Sequence, residues 1–485
     1  MEDLRGWIGH MRDRGLVKDV AGASWNLEVG AVTDLNAKHA KWVLLFDQIQ
    51  DHDPGYRVLT GTLLDAYRVA YTLNCDTGTD QMALVRELRA RLYDPARVPR
   101  SGAAASARAA AGADAPVFEH RFTGDEVDVQ RFPAPLWHEH DGGRYLGTLD
   151  AVVTRDPDDD WVNLGTYRMT VHGPASLGLF VNASHHGRMH IEKHQRRGER
   201  APVAVSLGHH PALSALAGME LPTGVSEYDV VEQLRGEPCD LVRAPVTGLP
   251  VPADSEIVIE GYLAEEGAPE GPYGEFLGYY AGNKVISPVV DVAAVYHRTD
   301  PILLGTCSGI PPYDYSYFRC PMRSAMLWES LERAGVPGVA GVWCHEAGFS
   351  RALNVVSIRQ AYSGHAMQAG LLASQVREGA FGGKYTIVVD DDVDPANLEE
   401  VMWAVCTRTD PVHAIEFVKD GWGMSLDPMI ERGPDQALNE LSMSRAVINA
   451  CRPLRRLARG QFPRVVTVPG AVAERVTGRY PELFG

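Results

Sequence analysis

The order of apolar and polar positions changes character twice along this chain. Near the start, Leu4, Ile8, Met11 and Leu16 fall at roughly helical spacing, and the run Trp42–Phe46 has the length of a buried strand. Residues 82–93 predict an amphipathic helix. From about 117 to 305 strand signals dominate. Residues 147–154 and 161–171, joined by the turn D-P-D-D-D at 156–160, read as a hairpin. Residues 255–263 alternate at period two and 289–296 form another strand, with short helices near 188–197 and 226–235. A barrel-like sheet is the expected arrangement. A connecting helix over 321–335 leads to a third region. There the strand 384–389, a helix over 395–405 with Asp394 as N-cap and Pro395 in its first turn, and the strand 414–418 predict an α/β unit. The tail beyond 430 has helical stretches that could embrace another subunit. No internal repeat is visible.

The expected class is therefore α/β (α+β), divided into four parts. An N-terminal mixed region covers 1–116 and includes a linker at 101–115, low in complexity and rich in Ala. A β-rich domain covers 117–320, the connecting helix 321–335, and a C-terminal α/β domain with an oligomerisation tail 336–485.

Composition narrows the function. A chain of 485 residues with 45% hydrophobic and 22% charged side chains can bury a large core without disulfides or structural metals. Its 46 basic against 63 acidic residues give a net charge of -17, which repels nucleic-acid backbones and anionic membranes. An anionic substrate then needs its own cationic pocket. The seven cysteines are scattered and include no C-x-x-C pair, as in a reducing compartment. With no signal-peptide block at the N-terminus and no run long enough to span a bilayer, a cytoplasmic protein is expected.

Several common enzyme classes lose their usual marks. No G-x-G-x-x-G follows a strand; G-A-F-G-G-K-Y (379–385) has the wrong glycine spacing for a phosphate loop. H-E-A-G-F (345–349) lacks the second His of a zinc-protease helix, and G-T-C-S-G (305–309) is not a nucleophile elbow.

What remains is a set of individually ambiguous groups. In P-E-G-P-Y-G-E (269–275), Pro and Gly forbid regular helix, so Glu270 and Glu275 sit on a constrained loop. They are either a solvated acidic turn or two carboxylates that divide labour in a closed site. In N-L-G-T-Y-R (163–168), Asn163 offers a hard carbonyl ligand and Arg168 a fork for a carboxylate. Five apart on a regular strand they face opposite sides, unless a bulge at Gly165 turns them to one ligand. Histidines stand at 185, 186, 190 and 194, and His190 with His194 could share a helix face as metal ligands or simply be solvated. Ser226 reads as an N-cap, with Glu227 in the first turn where the helix dipole favours a carboxylate.

Taken in order, F-P-A-P-L-W-H-E-H-D-G-G-R-Y (132–145), N-L-G-T-Y-R (163–168), M-H-I (189–191), V-S-E-Y-D (225–229), S-E-I-V-I-E-G (255–261), G-P-Y-G-E (271–275), D-D-D-V-D-P (390–395) and V-M-W-A-V-C-T-R-T-D-P (401–411) resemble the UbiD family. These are reversible decarboxylases that use prenylated FMN. The resemblance covers nearly the whole chain and implies a middle domain of flavin-reductase split-barrel type, a C-terminal domain for assembly, and a homodimer or higher homo-oligomer. It implies that Asn163, His190 and Glu227 ligate a divalent ion, usually Mn2+, against the flavin phosphate, with K+ beside it. Thr166, Tyr167, Arg168, Met189 and Lys384 join these three as cofactor contacts, Lys384 at the phosphate. Arg168, Glu270 and Glu275 match the catalytic trio: Arg168 receives the substrate carboxylate and pairs with Glu270, and Glu275 delivers the proton that replaces CO2. The flavin would act through a covalent adduct with the substrate carbon and would come from a partner flavin prenyltransferase.

The expected substrate is a small α,β-unsaturated, aromatic or heteroaromatic carboxylic acid. Met189 stands where cinnamate-type members carry Gln, His186 falls near an apolar wall position, and G-I-P-P-Y-D (309–314) differs from the P-P-D-E of 4-hydroxybenzoate-type members. The alternative is a split-barrel flavin-binding or flavin-reducing protein without decarboxylase activity, which would need no such trio.

Overall fold

The computed structural model describes residues 1–97, 115–182, 185–281, 284–431 and 440–483. The linker expected over 101–115 lies outside these residues but for Ala115. Three sheets organise the chain. The first has four strands in the order Val17–Ala21, Val43–Asp47, Arg57–Thr60 and Ile302–Leu304. Its opening parallel pair is joined through the helix Glu28–His39, as a parallel connection requires. The last strand comes from the end of the β-rich region and runs parallel to Arg57–Thr60, so it stitches the N-terminal part to the middle of the molecule.

The helix Leu4–Asp13 buries Leu4, Trp7, Ile8 and Met11 on one face, with Asp3 capping it through the Gly6 N–H. Leu16 falls beyond this helix, in the turn that precedes the first strand. The helix Gln81–Leu92 buries Leu84, Val85 and Leu88 and is capped by Asp80.

The middle sheet has nine strands. Its path runs Tyr145–Gly147, Met169–Gly173, Ser176–Leu179, Val289–His297, Ile257–Leu263, Pro202–Leu207, Ala151–Arg155 and Val162–Gly165, with His120–Thr123 paired onto Val289–His297. This path has two free ends, so among the described residues the sheet does not close into a barrel. The alternation of 255–263 does not mark a half-exposed strand. Ile257–Leu263 is covered on both faces, and its polar positions are satisfied internally. Glu260 accepts from Val246 N–H, Thr247 N–H and the Tyr296 hydroxyl at 2.7–2.9 Å.

The long second strand expected over 161–171 is broken. Val162–Gly165 pairs with Ala151–Arg155 in unbroken register, then the chain leaves the ladder for Thr166–Arg168 and re-enters as Met169–Gly173 beside different neighbours. There is no bulge at Gly165. The Tyr167 ring instead folds back over it, and a Cβ at Gly165 would stand 2.0 Å from Tyr167 Cζ.

The connecting helix is longer than expected and starts earlier, spanning Asp314–Arg333 with Pro321 inside it. At its start the Ser316 hydroxyl accepts from Tyr313 N–H at 2.9 Å, and the Asp314 carboxylate accepts from Gly61 and Leu63 N–H at 3.0 and 2.8 Å. These caps hold the helix to the N-terminal sheet before Pro321 is reached. At its far end Arg89 of Gln81–Leu92 pairs with Glu329.

The third sheet has the order Val339–Cys344, Leu353–Ile358, Tyr385–Asp390, Ser442–Asn449 and Ile415–Trp422, parallel at its centre and antiparallel at both edges. The helix expected at 395–405 is shifted to Leu398–Arg408. Asn397, not Asp394, caps it, because the Asn397 side chain accepts from both Glu399 and Glu400 N–H. The tail begins with the strand Ser442–Asn449, and only then come the helices Leu454–Ala458 and Gly470–Arg479, neither of which buries a residue. No helix among the described residues is long and apolar enough to cross a membrane.

Candidate active site

Between the middle sheet, the helix Asp314–Arg333 and the third sheet lies a cavity of about 730 Å³. Asn163, Thr166, Tyr167, Arg168, Glu227 and Glu275 all line it. The chain break at 166–168 is what allows this. A regular strand would send Asn163 and Arg168 to opposite faces.

The Glu-bearing loop is built from two short ladders. Ala268–Glu270 pairs with Val285–Ser287, and Tyr273–Gly274 with Tyr280–Ala281. Gly271, at φ +88°, turns the chain between them, a conformation that costs a residue with a Cβ. Neither acid is a solvated turn residue: the Glu270 side chain is 0% exposed and that of Glu275 12%. Arg168 donates from Nε to Glu270 Oε1 at 2.7 Å and from Nη2 to Oε2 at 3.0 Å, a two-pronged pair, while its Nη1 meets Glu275 Oε1. The Tyr145 hydroxyl adds a third bond to Glu270 at 2.9 Å. The guanidinium lies 3.8 Å from the Phe180 ring centroid and 4.7 Å from that of Tyr273.

One cation thus faces two buried carboxylates. Burial pushes the Glu275 carboxyl up from its ordinary value, with Arg168 pulling the other way. Glu270 takes both prongs of the guanidinium and the tyrosine hydroxyl, whereas Glu275 meets a single Arg168 nitrogen.

At the other expected centre, Asn163 donates through Nδ2 to Glu227 Oε1 at 2.9 Å, and Leu164 N–H donates to Glu227 Oε2 at 2.6 Å. Glu227 opens the helix Glu227–Arg235. Ser226 occupies the N-cap position, but its side chain makes no capping bond. Burial pushes the Glu227 carboxyl up to about 8, against the pull of the Leu164 and Asn163 hydrogen bonds, so its charged form is disfavoured unless a cation is near. His190 is fully buried on the helix His186–Arg196, with its Nδ1 3.0 Å from Thr154 Oγ1. Thr154 lies directly opposite Asn163 in the ladder. Burial lowers the His190 imidazole to about 4, which keeps it neutral, and its Nε2 has no hydrogen-bond partner among the described residues. A neutral imidazole with a free nitrogen, an amide and a carboxylate fit a hard or borderline divalent ion. Among the described residues no group of three His, Cys, Asp or Glu could hold a metal. His194 pairs instead with Glu199, so it is not the second histidine of a metal site.

Three expected contacts do not line the cavity, His190 among them, whose Nε2 lies 3.9 Å from Asp156 Oδ2. Met189 lies on the same helix as His190 and is not among the residues lining the cavity. Lys384 lines a separate cleft, where its Nζ pairs with Asp427 at 2.8 Å. Three arginines that the sequence did not single out reach the cavity instead. Arg323 and Arg351 both pair with Glu220, and Arg319 stacks 4.4 Å from the Tyr315 centroid. Burial favours a protonated Glu220, but these guanidinium groups hold its carboxyl far below the ordinary range. The four-residue spacing of Arg319 and Arg323 on one helix was the only signal of this cluster in the sequence. For Tyr145, 125 residues from its partner, there was none.

Comparison with known proteins places this geometry. Three family models match the chain, described as the N-terminal, Rift-related and C-terminal domains of 3-octaprenyl-4-hydroxybenzoate carboxy-lyase, over residues 8–92, 108–311 and 316–450. The chain is 36% identical over 432 residues to a pyrrole-2-carboxylic acid decarboxylase of Pseudomonas aeruginosa, covering 85% of this chain and 84% of that one. It is 34% identical to a phenolic acid decarboxylase of a Streptomyces species, covering 72% of each. Among solved structures, the UbiD-class enzyme HmfF of Pelotomaculum thermopropionicum in complex with FMN superposes with a TM-score of 0.82 at 29% identity, covering 97% of this chain and 98% of that one. An open form of the vanillic acid decarboxylase of Sedimentibacter hydroxybenzoicus gives 0.84 at 27%, covering 100% and 99%. These relatives leave no room for the reading as a flavin reductase. The chain belongs to the UbiD family of carboxy-lyases and is a decarboxylase.

Proposed function

We propose that the chain catalyses reversible, non-oxidative decarboxylation of a small aromatic, heteroaromatic or α,β-unsaturated acid with prenylated FMN as cofactor. The observation that carries this reading is the placement of Arg168 between Glu270 and Glu275 on the wall of a cavity large enough for a flavin and a small acid. A solved form of HmfF holds prenylated FMN, which supports the same cofactor here. The relative at 36% identity acts on pyrrole-2-carboxylic acid, which favours a heteroaromatic substrate. Asn163, His190 and Glu227 would hold a divalent ion such as Mn2+, with K+ nearby, and Thr166 and Tyr167 would lie along the cofactor.

When bound, the prenylated flavin supplies a sink for the electron pair of the breaking C–C bond. The chain's own groups do the rest. Arg168, fixed by Glu270 and flanked by Phe180 and Tyr273, orients the substrate carboxylate and leaves little room for water. Glu275, whose protonated form burial favours, would give its proton to the carbon from which CO2 departs. In the reverse direction the same carboxylate removes that proton. The cavity's arginines supply the local positive charge that an acidic protein needs to admit an anion.

A flavin prenyltransferase would supply the cofactor. A homo-oligomer is supported by the C-terminal helices that bury nothing in this chain and by the exposure of Val466 and Val468, 98% and 68%. The test is expression with and without a flavin prenyltransferase, followed by the mass of the released cofactor and CO2 release from a panel of acids. Prenylated FMN appearing only with the partner, together with CO2 from a heteroaromatic acid, is the expected result. Unmodified flavin, or no flavin, in both preparations supplied with Mn2+ and K+ would overturn the reading.

A further inference from the structure

A closed ring of hydrogen bonds stands beside Glu275 and involves no side chain described so far. Gly274 N–H donates to Asp141 Oδ1 at 2.8 Å. Asp141 Oδ2 is 3.1 Å from His138 Nδ1, and His138 Nε2 is 3.3 Å from Cys307 Sγ. Ser308, the next residue, donates through Oγ to the Gly274 carbonyl at 2.8 Å and so closes the circuit. Three segments far apart in the chain, 138–141, 274 and 307–308, meet around one glycine. The fit leaves no space for another residue, since a Cβ at Gly274 would lie 2.6 Å from His138 Nδ1. A second strap runs alongside, from Gly142 N–H to the Pro272 carbonyl at 2.7 Å.

The consequence falls on Glu275. Asp141 fixes the peptide before Gly274. The peptide after it is fixed on both sides, its carbonyl by Ser308 and its N–H, that of Glu275, by the Tyr279 carbonyl at 2.9 Å. With both peptides flanking Gly274 pinned, the backbone entering Glu275 is fixed, and its side chain is launched from a set position toward Arg168. The Asp141 side chain is 0% exposed, so its oxygens need hydrogen-bond partners. Burial would strip the proton from His138, but the Asp141 carboxyl group beside its Nδ1 works the other way and pushes the imidazole up. The ring is therefore closed by a charge-assisted bond.

We infer that His138 and Asp141 are positioning residues for Glu275, holding its carboxyl at the reacting carbon. This rests on Glu275 being the proton donor. The test compares Asp141→Ala, Asp141→Asn and Ser308→Ala in holoenzyme made with a flavin prenyltransferase. Asp141→Ala is expected to lower kcat by about 10–100-fold, the scale for a misplacement of about 1 Å, with KM and bound flavin near wild type. Glu275 faces Arg168, Glu270, Tyr273 and Tyr313, and burial is what raises its carboxyl. A loosened Glu275 gains water and holds its proton less well. The falling limb of the kcat–pH profile should then move to lower pH, which a general loss of stability would not produce. Asp141→Asn keeps an acceptor for Gly274 N–H and should recover most of the rate. Ser308→Ala removes one hydroxyl and is the milder variant should Asp141→Ala misfold.

Amide exchange of the peptide carrying Gly274, followed by mass spectrometry, provides a readout independent of turnover and should speed up in Asp141→Ala. Unchanged exchange, or faster exchange with kcat and pH profile like wild type, overturns the positioning role. If the wild-type holoenzyme releases no CO2 from any acid, the donor role of Glu275 fails and positioning for it fails too, while faster exchange would still establish the ring.

Discussion

Glu275→Gln separates proton delivery from structure more cleanly than any other single change. In the native trio one guanidinium faces two carboxylates, and the two-pronged pair with Glu270 survives the substitution untouched. Gln has the shape of Glu and can still accept from Arg168 Nη1 through its carbonyl. Removing the weaker claimant on Arg168 should therefore change folding stability by about 1 kcal/mol or less, as for other lost single hydrogen bonds. Turnover should respond very differently. A positioned acid contributes about 10²–10⁴-fold, and the amide has no proton to give. That loss corresponds to about 3–5 kcal/mol in the barrier. The assay is the initial rate of CO2 release at saturating acid, normalised to bound flavin by absorbance, with the thermal midpoint measured in parallel. Glu270→Gln is the contrast: it leaves a buried guanidinium short of its main partner, which costs about 3–5 kcal/mol and should lower the melting midpoint by many degrees. A Glu275→Gln enzyme within about threefold of wild type, or one whose loss merely tracks lost flavin, would refute the assignment of the proton to Glu275.

Arg168→Lys replaces a two-pronged, ring-flanked cation with a point charge, and kcat/KM for the acid should fall by about 100-fold, the equivalent of two strong hydrogen bonds. Asn163→Ala and His190→Ala should each reduce retention of Mn2+ after desalting, measured by elemental analysis, and weaken FMN binding in the presence of Mn2+ while leaving metal-free FMN binding less affected. His209 and His345 are buried and lowered to about 3 and 4, so the folded chain binds fewer protons than the unfolded one below pH 6.5. Stability is then fully present above that pH and falls as pH drops toward 4, by about 1.4 kcal/mol per pH unit for each group. Denaturant titrations at pH 7 and 5 should show a smaller difference for His345→Gln than for wild type, and equal differences would reject this account.

Periodicity made several elements legible and misplaced others for identifiable reasons. Leu84, Val85 and Leu88 announced the helix Gln81–Leu92, because an amphipathic stripe needs only local spacing. The start of Leu398–Arg408 was misread because Asp394-Pro395 and Asn397 are both good capping signals, and the actual bonds to Glu399 and Glu400 choose between them. Glu256 and Glu260 imitated the polar face of a half-exposed strand, whereas Arg5, Arg298, Tyr296 and two backbone N–H groups satisfy them inside the protein.

The order of short motifs was sufficient to name the family and to nominate Asn163, Arg168, Glu227, Glu270 and Glu275, since chemistry-bearing residue types at set spacings are a property of the chain alone. It could not tell whether Asn163 and Arg168 face one ligand. That depended on Tyr167 folding over Gly165 and ending the strand. Nor could it show that Lys384 sits with Asp427 in another cleft, or that His138, Asp141, Cys307 and Ser308 converge on Gly274. Those facts depend on pairings between separate segments, 43 positions apart for Lys384 and Asp427 and 169 for His138 and Cys307, which carry no local pattern. Only when the sheets and the helix Asp314–Arg333 pack together are Glu270 and Glu275 brought out of water to one guanidinium.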